Sequence, residues 1–198
     1  MSSSSPLRRL PWLRAGIAAI ALCAVLPACS PRYDWRTIQS GEGRYAALYP
    51  AKPSQAARDV AIAGRRLPMT MEAARIDDTL FAVGVVTLPD EDPALRKEAL
   101  DAMQKGLLAN LGGALAEPAQ TREVTVMSAA QPPVPMPATE IQAAAVSPQD
   151  KTRRRLTARL VASGGKVYQA VVLESGDAAL DRRQAEQVEQ FLSGFHPY

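Results

Sequence analysis

Cys23 and Cys29 stand six positions apart in the stretch LCAVLPACS, and no other cysteine follows them. The types and spacing admit a disulfide or two ligands of a metal clip. His196 is the single histidine, two residues before the end of the chain. A Ser-His-Asp or Cys-His device needs its base held by packing and by a third group. A terminal histidine beside Pro197 is poorly placed for that and reads as a surface or helix-capping group, since cations suit helix C-termini. The thioethers of Met69 and Met71 are soft enough for Cu(I) and would share one side of a strand. Leu67 falls on that side too, so core filling is the simpler reading. Asp90, Glu91 and Asp92 lie just before a helical pattern. Calcium wants about six or more oxygens and a shaping glycine, whereas negative charge at a helix start explains the acids without a metal. No G-x-S-x-G, P-loop, H-E-x-x-H or G-x-G-x-x-G motif is present. The sequence thus assigns no catalytic residue, no metal ligand and no cofactor.

One basic run is dense: Arg153, Arg154 and Arg155, with Lys151 before it and Arg159 after it. Strand alternation puts Arg153, Arg155 and Arg159 on one face, opposite Leu156, Ala158 and Leu160. A row of cations on an open sheet face is the candidate docking surface, suited to an acidic envelope partner or to anionic lipid headgroups.

The cysteines are settled by what precedes them. Arg8, Arg9 and Arg14 are followed by Ala15 to Ala28, which carries neither a charge nor a side-chain hydroxyl. A charged start, a short apolar core and small residues before a boundary have the anatomy of a secretory signal peptide. The apolar stretch is short of the roughly 20 residues of a membrane-spanning helix. Leu26-Pro27-Ala28-Cys29 then resembles the lipobox of bacterial lipoproteins, with Pro27 where the family more often has Ala, Ser, Thr or Val. The resemblance implies cleavage before Cys29 and acylation of its sulfur and its new amine. Cys23 then leaves with residues 1–28, behaving until then as a small hydrophobe. No disulfide is possible in what remains. Ser30, in place of the Asp that retains such proteins at the inner membrane, implies the periplasmic face of the outer membrane.

Removal of the three leading arginines leaves 20 basic against 20 acidic residues. The isoelectric point near 9.0 is therefore largely a property of the leader. Non-specific nucleic-acid binding relies on excess positive charge, so nucleic acid is not an expected partner.

The remaining elements must form the domain. Residues 29–40 read as the lipidated N-terminus and a short tether passing into a first strand, and 41–198 as one domain. Alternating runs follow over Arg44–Tyr49, ARDVAIAG, RRLPMTMEAARI and TLFAVGVVTLP, with turns at Ala63-Gly64 and Asp77-Asp78. The period then changes. Leu100, Met103, Leu107 and Leu111 form a helical stripe, Asp92 is its N-cap, Pro93 its first residue, and Gly112-Gly113 its stop. TREVTVMS, a proline-rich loop AAQPPVPMPA, TEIQAAAV, RRRLTARLVAS and KVYQAVVLES supply a second strand group, with a hairpin at Gly164-Gly165. A closing helix has Asp177 as N-cap and a stripe of Ala185, Val188, Phe191 or Leu192, and Phe195.

This order predicts an α+β fold, an antiparallel sheet of two strand groups covered by two main helices. Tyr45, Tyr49, Pro50, Lys52 and Pro53 near the start, with Phe191, Leu192 and Phe195 near the end, resemble PsbP-like α/β/α sandwich domains. These are packing and turn residues, so the resemblance implies a fold and no catalytic residue. The functional expectation is a non-enzymatic accessory or adaptor domain anchored at a membrane by Cys29. The alternative is a small-ligand binding protein with a pocket between sheet and helices.

Overall fold

Ala63 and Gly64 both adopt positive φ, 52° and 72°, the backbone of a two-residue hairpin turn that matches strand twist. The turn joins β3 (Ser54–Ile62) to β4 (Arg65–Ile76), which pair antiparallel over their full lengths. Asp77, at φ 48°, begins the next turn and returns the chain as β5 (Thr79–Thr87). The computed structural model describes residues 32–176 and 182–198. The signal-peptide and lipobox residues, Cys29 included, and the expected cap Asp177 lie outside the described residues.

After the meander comes α1 (Pro93–Ala109), with the Asp92 side chain accepting a hydrogen bond from Ala94 N–H at 3.0 Å. Then follow β6 (Gln120–Met127), β7 (Pro135–Val146), β8 (Arg153–Ser163) and β9 (Lys166–Ser175). All these strands form one antiparallel sheet in the order β3-β4-β5-β9-β8-β7-β6. The two expected strand groups are therefore one sheet, joined where β5 pairs with β9. The strand expected from Thr139 begins four residues earlier and includes Pro135 and Pro137. Pairing between β7 and β8 reaches only to Ala138. One side of β7 is thus open at both prolines, where a missing N–H breaks no ladder.

Period-2 alternation divides the apolar residues between the two faces of the sheet. One face carries Leu67, Met69, Ile141, Leu156, Ala158, Leu160 and Val167, which cluster with Leu95, Ala99, Met103 and Leu107 of α1. Met69 and Met71 belong to this cluster, so both methionines fill core. The other face carries Phe81, Val83, Tyr168, Ala170 and Val172. It packs on Val188, Phe191 and Leu192 of α2 (Arg182–Ser193) and on Phe195 beyond it. Ala185, expected in this stripe, is exposed.

The second face is completed by a small sheet of β1 (Arg36–Ser40), β2 (Tyr45–Tyr49) and β10 (His196–Pro197), in the order β1-β2-β10. The first strand into which the stretch 29–40 was expected to pass begins at Arg36. Tyr33 and Trp35 already pack edge-on against Phe81, and Trp35 Nε1 donates to Gln187 Oε1 at 3.1 Å. The residues Tyr33–Tyr198 form one compact unit. Among the described residues no helix is long and apolar enough to cross a membrane.

Candidate functional site

A single cross-strand row runs over the full width of the second face: Gln55, Glu72, Val83, Ala170, Arg159, Glu140 and Arg122, each opposite the next. Its middle is apolar and lies under α2. Its two ends are polar, and they differ in what they can do.

At the β6–β7–β8 end the charges satisfy one another. Glu140 is 2% exposed. Its Oε1 accepts from Arg122 at 2.9 and 2.6 Å and from Gln142 at 3.1 Å, and its Oε2 accepts from Arg159 Nε at 2.9 Å. The Arg159 Nη2 also donates to both Glu189 oxygens of α2, at 3.1 and 2.9 Å. Burial pushes the Glu140 carboxyl up, but hydrogen bonds from Arg122 and Arg159 outweigh it and hold the group below its usual range. Arg155 lies 3.7 Å from Glu174, a carboxyl that burial raises and Arg155 partly restores.

The three arginines read as a docking surface do share a face, as alternation requires. That face is not open, however: α2 covers it at Arg159, which is buried, and Arg155 is half-buried beside Glu174. Arg153 alone of the three is exposed. The missing signal was the matching acids, because Glu140, Glu174 and Glu189 reach the arginines only through strand pairing and helix docking. His196 sits in β10 with Nδ1 3.0 Å from the Met127 carbonyl. Asp90 accepts from Asp92 N–H at 3.2 Å, consistent with a helix-start role for these acids.

The β3–β4 end is different. The turn between β1 and β2 leaves a cavity of about 340 Å³ over Glu72, lined also by Ser40, Glu42, Tyr45, Gln55, Ala57, Thr70, Met71, Val83 and Val85. Glu72 is 7% exposed. Its Oε1 accepts from Ser40 Oγ and from Gln55 Nε2, both at 3.0 Å. Ser40 Oγ in turn accepts from Gly43 N–H at 3.2 Å. Gly43 is required by close approach, since a Cβ there would stand 2.6 Å from the Tyr45 ring and 2.7 Å from Ser40 Oγ.

Counting hydroxyl hydrogens shows what is left over. Tyr49 O–H donates to the Glu72 carbonyl at 3.2 Å, so in its 3.3 Å contact with Tyr45 it must accept. In this arrangement both phenol hydrogens and that of Ser40 have partners, and the Tyr45 hydroxyl also interacts with the side chains of Glu72 and Ser40. Glu72 Oε2 is buried and has no hydrogen-bond partner among the described residues. Burial raises both tyrosines far above their usual range, with Tyr45 and then the charge of Glu72 adding to the effect at Tyr49 and Glu72 adding to it at Tyr45, so they remain neutral. The site is a preorganised carboxylate with one oxygen held and one unfilled. Sequence reasoning missed it: within MTMEAARI, Glu72 looks like a residue of a solvated strand face, and only the β1–β2 turn makes it a floor.

No family model matches the chain, and the comparison with curated proteins found no match. Among solved structures, the solution structure of cyanobacterial PsbP (CyanoP) from Synechocystis sp. PCC 6803 is similar, with a TM-score of 0.47 and 16% identity over 88% of this chain and 98% of that chain. No residue role is carried over from it.

Proposed function

We propose that the chain is a lipid-anchored envelope protein, acylated at Cys29, whose domain is non-enzymatic and binds a small ligand in the cavity over Glu72. The observation that carries the binding reading is the buried carboxylate with an unfilled oxygen at the floor of a cavity of about 340 Å³. That volume is of the size that small-molecule sites occupy, and its walls mix apolar side chains with a few convergent polar groups. The anchoring reading is supported by Leu26-Pro27-Ala28-Cys29 after an apolar core, and Ser30 favours the periplasmic face of the outer membrane. Docking on an acidic partner keeps one supporting observation, the exposure of Arg122 at the other end of the row and of Arg153 at the start of β8.

The binding test uses the full-length protein in detergent, screened by thermal shift against a small-molecule library. Ala57 is exposed on β3 and lines the cavity, so Ala57→Trp should fill the cavity mouth without disturbing the core. Ligands that raise Tm for wild type and not for Ala57→Trp support the reading. A screen whose every hit acts equally on both proteins rejects it. For anchoring, palmitate labelling should vanish in Cys29→Ala and persist in Cys23→Ala; labelling that survives Cys29→Ala rejects the lipobox.

A further inference from the structure

Resting on the reading of this cavity as a binding site, we infer that its ligand is a small organic cation, an ammonium or guanidinium group borne on an apolar body. Glu72 and Glu42 are its two carboxyl side chains, and none of its lining residues carries a positive charge. An ionised carboxylate offers only acceptors. Among the described residues Oε2 has no donor, and a buried acceptor left unsatisfied is costly. A ligand that brings N–H donors with positive charge relieves that cost and makes the stronger, charge-assisted kind of hydrogen bond.

The cradle is built to present the carboxylate rather than to neutralise it. The Gly43–Ser40 relay fixes Oε1 from one side. Gln55, from the other, stands exposed on the edge strand, so a ligand donor can take the place of its amide. The contrast with Glu140 is informative. That carboxylate, in the same cross-strand row, is closed by Arg122 and Arg159, while Glu72 receives only neutral donors. The walls set the rest of the ligand: the Tyr45 ring, Val83 and Val85 favour an aromatic or aliphatic body, and an anion would meet two carboxylates with no countercharge.

The test is calorimetric titration of the full-length protein with three probes matched in shape: phenethylammonium, 2-phenylethanol and phenylacetate. The expected result is that the ammonium binds at least about tenfold more tightly than the alcohol, that Glu72→Gln loses this advantage, and that phenylacetate does not bind. Ala57→Trp should abolish binding of the ammonium. If the alcohol or the phenylacetate binds as tightly as the ammonium and Ala57→Trp removes it, the cavity is a site but the cation inference is overturned. If Glu72→Gln leaves the ammonium affinity unchanged, the inference is overturned as well. If none of the probes binds to wild type, both the inference and the binding reading on which it rests are rejected. The comparison among probes needs only the wild-type protein, so it stands even where a variant fails to fold.

Discussion

Glu140 Oε2 and Arg159 Nε lie 2.9 Å apart on neighbouring strands, with side chains 2% and 10% exposed. Arg159 is therefore an internal brace between β7, β8 and α2 rather than a surface cation. Removing one partner of a buried pair leaves the other charge uncompensated, the costly case. Arg159→Ala should destabilise the protein by about 3 kcal/mol. Arg153→Ala, at an exposed position, should change stability by no more than about 0.5 kcal/mol. Denaturant titrations of the two variants decide the matter; equal midpoints would show that the network braces nothing.

Titration of the same carboxylate gives a pH signature. The folded state holds Glu140 below its ordinary value of 4.5, so just below that pH the unfolded chain binds more protons than the folded one. Its contribution is complete above pH 4.5 and declines as pH falls through the folded value. Burial raises Glu174 from the same starting value, so its effect has the opposite sign: stability declines as pH rises from 4.5 through the raised value. Glu140→Gln should flatten the acid limb of a stability-versus-pH curve, and Glu174→Gln the limb above 4.5. Curves parallel to wild type would contradict both assignments.

Phe191 is fully buried and meets Tyr49 and Phe81 edge-on, at ring separations of 5.5 and 5.4 Å. It thus ties α2 to both sheets at once. Phe191→Ala should cost about 3–5 kcal/mol, read as a lowered denaturant midpoint. A midpoint close to wild type would make the helix peripheral.

Gly43 tests the architecture of the cavity. A methyl group there meets the Tyr45 ring and Ser40 Oγ well inside contact distance, and such overpacking costs about 1–3 kcal/mol. Gly43→Ala should lower stability by that amount and, by displacing Ser40, weaken ligand binding. Unchanged stability would mean that the turn has room it does not show.

The hairpins at Ala63-Gly64 and Gly164-Gly165 and the helix begun by Asp92 and Pro93 were legible in the sequence because turns and caps are local. The core faces were legible too, since Met69 and Phe191 follow the periods of strand and helix. What could not be read was long-range. Nothing near Arg159 in sequence announces Glu189, and nothing near Glu72 announces the turn that roofs it. The pairing of β5 with β9, which merges the strand groups and sets Glu72 and Glu140 in one row, spans residues far apart in the chain. A polar residue in an alternating strand looks solvated until its tertiary cover is known.

The most direct test of the central claim needs no choice of probe. Full-length wild-type protein and Ala57→Trp are purified from the cells that produce them, denatured, and the small molecules released are compared by mass spectrometry. An amine- or guanidinium-bearing compound should be released, stoichiometric with wild type and missing from Ala57→Trp. Matching profiles from the two proteins, with nothing enriched in wild type, would contradict the claim.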